Sequence, residues 1–320
     1  MEKIELSARP FMKWAGGKSQ LLSQLRQHLP PELESYSFTY VEPFVGGGAM
    51  LFYMLQQFHD IRRVVINDIN SHLTQAYRDI KDHPEELVGQ LKNIEREYLS
   101  IKEEASRKTF YLYMRRQFNS QSISPGIERT SLLLFLNRTC FNGLYRENSK
   151  GEFNVPFGRY AHPIICNEEL IFADSELLRK YDVKICCGDY KQTINEIEEQ
   201  EFTFFYFDPP YRPLSETSSF NTYVKEAFND QSQRELALFC RQISSRQKCL
   251  WMLSNSDCSA ANPNDRFFED IYDGFNIQRV VAKRAINANP GKRGKLTELL
   301  IKNYDNTFAI NQASEELDLL

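Results

Sequence analysis

Short apolar runs alternate with longer amphipathic stretches along most of this chain, and the alternation changes character in the middle. Runs at residues 40–42, 63–67, 183–187, 202–207 and 248–254 are rich in β-branched and aromatic side chains and bounded by turn-forming residues, the pattern of buried strands. Helical spacing at 49–57, 71–81 and 232–244 follows several of them, which predicts the β-α-β rhythm of an α/β fold with a mostly parallel sheet. Two later strands, at 275–282 and 296–302, are joined by KRAINANPGKRGK, with no room for a crossover helix, so they are expected to pair antiparallel. Between about residues 84 and 171 the rhythm breaks into a helix-rich, basic and aromatic interval. The expected organisation is a core domain from 1–81 and 172–304, an inserted domain at 82–171, and an acidic tail at 305–320.

A length of 320 residues suits one α/β core carrying an insertion. Hydrophobic residues make up 42% and charged residues 26%, as in soluble globular proteins. No run approaches the about 18 to 20 consecutive apolar residues of a membrane span. The first residues lack the apolar stretch of a secretory signal, so a cytoplasmic location is expected. Seven cysteines, an odd number with no CxxC pair, read as reduced thiols with no metal.

A net charge of −4 argues mildly against a polyanionic partner, but its distribution matters more than the sum. Arg107, Lys108, Arg115, Arg116, Arg129, Arg138, Arg146, Lys150 and Arg159 crowd the insert, and Lys283, Arg284, Lys292, Arg293 and Lys295 form a second cluster. A solvated helix face or loop explains each cluster as well as a nucleic-acid surface does.

The candidate chemistry lies at predicted strand ends. VEPFVGGGAMLF, at 41–52, turns from a strand through Gly46, Gly47 and Gly48 into a helix, and lets backbone approach a ligand at the carboxyl edge of the sheet. Asp68 ends the next strand about 20 residues later, where dinucleotide folds place an acceptor for ribose hydroxyls; capping the following helix is the other reading. The glycines fit neither GxGxxG nor a Walker loop, which favours a nucleoside without pyrophosphate. After the run FTFFYF comes Asp208-Pro209-Pro210-Tyr211. Consecutive prolines stop the strand and leave carbonyls free as acceptors. The Asp208 carboxylate and the Pro209 carbonyl can accept both hydrogens of an exocyclic amine, and Tyr211 can stack on the ring that bears it.

With these motifs in view, the chain resembles the Dam-type (D12 class) family of GATC-specific DNA adenine-N6 methyltransferases. The resemblance runs through FMKWAGGK at 11–18, EPFVGGG at 42–48, NDIN at 67–70, LNRTCFNGLYREN at 136–148, GEFNVPFGRY at 151–160, CGDY at 187–190, DPPY at 208–211 and SNSD at 254–257. It implies a Rossmann-like methyltransferase sheet with one antiparallel strand, an inserted helical DNA-recognition domain, S-adenosylmethionine as cofactor and double-stranded DNA as partner. No membrane, no metal and a monomer or weak dimer complete the expectation.

The resemblance also assigns residues. Trp14, Lys18, Asp68 and Asp208 contact the cofactor, with Lys18 at its carboxylate and Asp68 at its ribose; Gly46 and Gly48 line it, and Asp189 and Tyr190 lie beside its adenine. Taken alone, Trp14 also fits a core aromatic, Lys18 a solvated lysine and Asp189 a helix cap. Lys13, Phe141, Asn142, Leu144, Arg146, Pro156 and Tyr160 match the residues through which the family recognises GATC, while Arg138 and Arg159 suit phosphates. Taken alone, FNGLY and FNVPFGRY also fit plain turn-and-core sequence. Tyr145 stands where the family usually has Cys, and Phe141 where Tyr is common. Asp208, Pro209, Pro210 and Tyr211 form the catalytic turn onto which adenine is flipped. DPPY alone also admits cytosine-N4 enzymes, and a different DNA target stays open.

Overall fold

The structure, a computed structural model, describes residues 7–214, 228–282 and 296–305. The second basic cluster, at 283–295, and the acidic tail from 306 onward lie outside the described residues.

Among the described residues, seven strands form one sheet: β1 (Phe38–Glu42), β2 (Ile61–Asp68), β3 (Lys184–Cys187), β4 (Thr203–Phe207), β5 (Cys249–Ser256), β6 (Asn276–Ala282) and β7 (Leu296–Lys302), in the order β3-β2-β1-β4-β5-β7-β6. The first five are parallel, and β7 runs antiparallel between β5 and β6. Both the α/β class and the antiparallel final pair follow the sequence pattern. Strand order reverses between β1 and β4, so the two strands leave a crevice at their carboxyl ends, the usual ligand position in an open parallel sheet.

Strands β1 and β4 are buried at every position because successive side chains point to opposite covered faces. Tyr40, Val64, Phe204, Tyr206, Met252 and Leu300 face one cluster, while Val41, Val65, Phe205, Phe207, Trp251 and Leu253 face the other. Helices α1 (Leu22–Arg26), α2 (Ala49–Gln57), α3 (Ser71–Asp82), α4 (Pro84–Ser100), α5 (Glu104–Asn119), α6 (Ile127–Thr139), α7 (Glu168–Lys180) and α8 (Asp230–Ser244) surround it. Local chemistry sets their starts. Asn70 caps α3 by accepting from His72 N and Leu73 N at 3.0 and 3.1 Å, and Pro84 opens α4 where its missing N–H costs nothing.

The helices between β2 and β3 do not bury a separate core. Leu87, Tyr98, Tyr111, Phe135 and Leu136 from α4 to α6 join the cluster on the Tyr40 face of the sheet. Helix α6 is buried from Thr130 to Asn137, as expected for a helix with apolar residues on every side. The expected boundary at 171–172 falls inside α7, which packs on α3 and α4.

Candidate active site

The turn after β1 is tight because side chains fill the space around it. Gly46 and Gly48 have φ of 48° and 75°, a region that favours glycine. A Cβ on Gly46 would lie 2.9 Å from Trp14 Nε1, and one on Gly48 would lie 2.4 Å from Tyr77 Oη. Tyr77 donates to the Gly46 carbonyl at 3.0 Å. Asp68, at the end of β2, faces the same turn: Gly46 N donates to Oδ2 at 3.1 Å and Asn70 N to Oδ1 at 2.9 Å. Burial raises its carboxyl above the usual range, and these N–H groups oppose the rise. Each Asp68 oxygen keeps a second acceptor direction.

Across the crevice, β4 delivers Asp208. Lys18 Nζ lies 3.0 Å from Asp208 Oδ1, 2.9 Å from the Gly16 carbonyl and 4.3 Å above the Tyr211 ring centre. The Tyr211 hydroxyl donates to Glu298 Oε2 on β7 at 2.7 Å. Burial raises the Asp208 carboxyl; Lys18 pulls it down, and the Glu298 charge adds to the rise. Glu42, buried at the end of β1, accepts from Tyr40 Oη at 2.8 Å, and its carboxyl is pushed well up by burial, with the Asp208 charge adding. Asp208 and Glu298 thus share the Lys18 ammonium, with Glu42 facing Asp208 from β1.

The turn is stiffened from behind. Gln233 Nε2 donates to the Pro210 carbonyl at 3.0 Å, and Asn255 Nδ2 donates to Gln233 Oε1 at 3.1 Å. Asn255 Oδ1 accepts from Arg212 N at 3.2 Å, and Ser256 Oγ donates to the Arg212 carbonyl at 2.6 Å. No described residue donates to the Pro209 carbonyl. Asp189 accepts from Lys191 N at 2.8 Å and caps the following turn, while Tyr190 packs 5.0 Å from Phe44.

A second surface is built by residues 137–160. Buried Asn137 accepts from Lys13 N and donates to the carbonyls of Lys13 and Gly143, all at 2.9 Å. Phe141 N donates to the Pro156 carbonyl at 2.8 Å, and Asn142, in the left-handed region at φ 57°, donates its N–H to Tyr160 Oη at 3.1 Å. Lys13 Nζ sits 5.7 Å from the Tyr160 ring centre. Phe141, Leu144, Arg146, Pro156 and Arg159 are exposed around this backbone. Arg146 Nε donates to Asn154 Oδ1 at 2.7 Å, and Arg159 lies 3.6 Å from Glu104. Arg138 is half-buried, and its Nη2 donates to the Phe11 carbonyl at 2.7 Å. Tyr145 stacks on Trp14 at 5.4 Å and donates to Glu147. The segment 13–18 therefore joins the two surfaces, with Lys13 on one and Lys18 in the other.

Glu42, Glu298 and Asn137 were absent from the residues expected from sequence. Glu42 and Asn137 lie inside the motifs EPFVGGG and LNRTCFNGLYREN with no role assigned to them, and Glu298 lies in none of the motifs.

A mostly parallel sheet of this order, with a glycine turn and an acid at the ends of its first two strands and the DPPY turn after its fourth, is a Rossmann-like sheet of the methyltransferase type. The chain belongs to the D12 class N6 adenine-specific DNA methyltransferase family, whose family model matches residues 14–286. It is similar to the Type II methyltransferase M.MjaIII of Methanocaldococcus jannaschii, 47% identical over 93% of this chain and 100% of that protein. The Type II methyltransferase M1.LlaDCHI of Lactococcus lactis subsp. cremoris is 40% identical over 96% of this chain and 99% of its own length. A DNA adenine methylase of Haemophilus influenzae is 33% identical over 93% of this chain and 94% of its length.

Membership implies S-adenosylmethionine as methyl donor, and the residues present fit it. The donor is a sulfonium cation with a ribose diol and an adenine, and the crevice offers carboxylates, an Asp68 with acceptor capacity to spare, and aromatic walls. Buried Asn67 Oδ1 and Tyr190 Oη have no hydrogen-bond partner, which leaves polar atoms for a ligand near the ends of β2 and β3. Among the described residues no helix is long and apolar enough to cross a membrane, and no cluster of ligating side chains is arranged to hold a metal.

Proposed function

We propose that this enzyme uses S-adenosylmethionine to methylate the exocyclic amine of adenine in GATC, on a base flipped out of double-stranded DNA. The observation that carries the proposal is the part-buried Asp208 at the switch point, in a stiffened turn beside the glycine loop. Asp68 holds the ribose hydroxyls with its outward lone pairs. Gly46 and Gly48 let backbone approach the cofactor, Trp14 closes over that loop, and Lys18 meets the cofactor carboxylate. Tyr190 and Asp189 flank the cofactor adenine.

Asp208 and the Pro209 carbonyl accept the two amine hydrogens and draw the nitrogen toward tetrahedral geometry, with its lone pair facing the methyl. Pro210, fixed through Gln233, keeps that carbonyl in place, and the Tyr211 ring stacks on the base. When bound, S-adenosylmethionine supplies an electrophilic methyl group that the nitrogen accepts directly, with release of one proton. The methylated ammonium is acidic, so the chain needs no general base of raised pKa.

Residues 82–171 serve as the recognition element. Lys13 and Arg146 donate to guanine edges, Leu144 and Pro156 meet thymine methyls, and Phe141 wedges where the adenine leaves the stack. Asn142 and Tyr160 shape the same loop. Arg159, and the part of the Arg138 guanidinium not spent on Phe11, meet phosphates. Support for GATC comes from the resemblance of the motifs at 136–148 and 151–160; relatives named as DNA adenine methylases support adenine as the target base.

DNA from cells expressing the enzyme tests the proposal when digested with nucleases that differ in sensitivity to adenine methylation within GATC. Protection at GATC is the expected result. Full cleavage by the methylation-blocked nuclease contradicts it.

A further inference from the structure

Glu298 is far from every motif that pointed to the site, yet its side chain reaches the centre of it. It sits on β7, opposite Ser256 of β5 and Val280 of β6. Its Oε2 accepts from the Tyr211 hydroxyl at 2.7 Å and lies 4.0 Å from Lys18 Nζ, the cation paired with Asp208. All three charged side chains are largely shielded, at 6% exposure for Lys18, 20% for Asp208 and 17% for Glu298.

A tyrosine ring at the end of a loop turns about two bonds unless its hydroxyl is held. Glu298 accepts its hydroxyl hydrogen from a strand fixed by two neighbours, with Asp208 also within hydrogen-bonding reach of the hydroxyl. Lys18 rests on the face of that ring, so one carboxylate sets the position of both the aromatic platform and the cation. We propose that Glu298 is a positioning residue for methyl transfer, which orients Tyr211 under the target base and shares Lys18 with Asp208. The inference rests on the assignment of Asp208 to Tyr211 as the base-holding turn. Neither the family motifs nor the spacing of the sequence singles Glu298 out.

A double-mutant cycle tests it, with single-turnover methylation at saturating cofactor measured on Glu298→Ala, Tyr211→Phe and the double variant, and with thermal unfolding to confirm the fold. Removing a hydrogen bond to a charged acceptor from either end is expected to slow transfer about 10-fold, and the double variant should be no slower than the slower single one. Glu298→Gln provides the second arm. It keeps an acceptor for Tyr211 and loses the charge, so it should lose less rate than Glu298→Ala. The groups facing Asp208 are Lys18 from the amino-terminal segment, Glu42 from β1, Tyr206 from β4, Tyr211 from the turn and Glu298 from β7. Of these, Glu298 adds a negative charge that disfavours ionisation of Asp208, so in Glu298→Gln the acid limb of the rate profile should move to lower pH.

A wild-type rate in Glu298→Ala, multiplying effects in the double variant, or an unmoved acid limb in Glu298→Gln overturns the role of Glu298. Asp208→Ala runs alongside as a control. If it loses transfer while the Glu298 arms fail, only the positioning role falls; if it methylates at the wild-type rate, the base-holding turn itself is wrong.

Discussion

The DPPY turn and the loop at 137–160 are held in opposite ways. At the turn the side chains are held: Lys18, Asp208, Tyr211 and Glu298 bind one another, and Gln233 and Asn255 brace the backbone behind them. At the loop it is the backbone that is held, by Asn137, by the Phe141–Pro156 bond and by Tyr160, while Phe141 and Leu144 stand 51% and 37% exposed. A site for one reaction gains from fixed functional groups in a low-dielectric crevice. A surface that meets bases in a groove needs a defined path with side chains free to reach. If that contrast is functional, substitutions at the turn change rate on all DNA, and substitutions at the loop change which DNA is used.

The largest expected effect is at the turn. Asp208→Ala should slow single-turnover methyl transfer by at least about 1,000-fold, roughly 4 kcal/mol, with DNA affinity retained within a few fold. Equal losses in rate and DNA affinity would erase the contrast. Asp68→Ala should weaken S-adenosylmethionine binding by roughly 1 to 3 kcal/mol, the scale of lost hydrogen bonds to a charged group. Unchanged affinity by calorimetry would leave Asp68 only its bonds to Gly46 and Asn70.

At the loop, Arg146→Ala should lose roughly 1 to 3 kcal/mol of discrimination at one base pair, whereas Arg159→Ala should weaken all duplexes alike and lower the salt slope by about one. Competition binding against duplexes substituted at each position separates the two. Uniform weakening by Arg146→Ala would remove it from base reading.

The smallest effect concerns Asp174, which accepts from Arg9 N at 3.0 Å and so anchors the start of the segment that joins the two regions. Burial lifts its carboxyl to about 8, whereas in an unfolded chain it ionises near its ordinary value of about 4. Its stabilising contribution is therefore complete below about pH 4 and lost as pH rises through about 8. Asp174→Asn should stabilise the fold more at pH 8 than at pH 5, as read by urea unfolding. Sequence preference should not change; a change would tie α7 to the loop.

Legibility from sequence tracked how local the physics was. Strand β4 and the helices α2, α3 and α8 appeared within a residue or two of their places because apolar periodicity and turn residues bound them. Strand β5 ran on past Ser254 through Asn255 and Ser256 because antiparallel pairing with β7 satisfies their backbone. The shared core of α4 to α6 and the sheet was hidden, since periodicity reports that a face is buried and not what buries it. The apolar run at 132–136 was the one hint, because a helix that is apolar on every side sits between others. DPPY, the glycine turn and Asp68 stand at strand ends as the sequence placed them, because short motifs carry their own geometry. Asn137 and Glu298 were not legible: their meaning lies in partners 124 and 87 residues away.

The most direct measurement of the central claim is the identity and position of the transferred methyl. Incubation of the enzyme with S-adenosylmethionine carrying a labelled methyl and a duplex with one GATC, followed by digestion to nucleosides and chromatography, reports both. The expected result is label in N6-methyldeoxyadenosine alone, and none with a duplex in which GATC is altered by one base pair. Label in N4-methyldeoxycytidine, or equal labelling of the altered duplex, would contradict it.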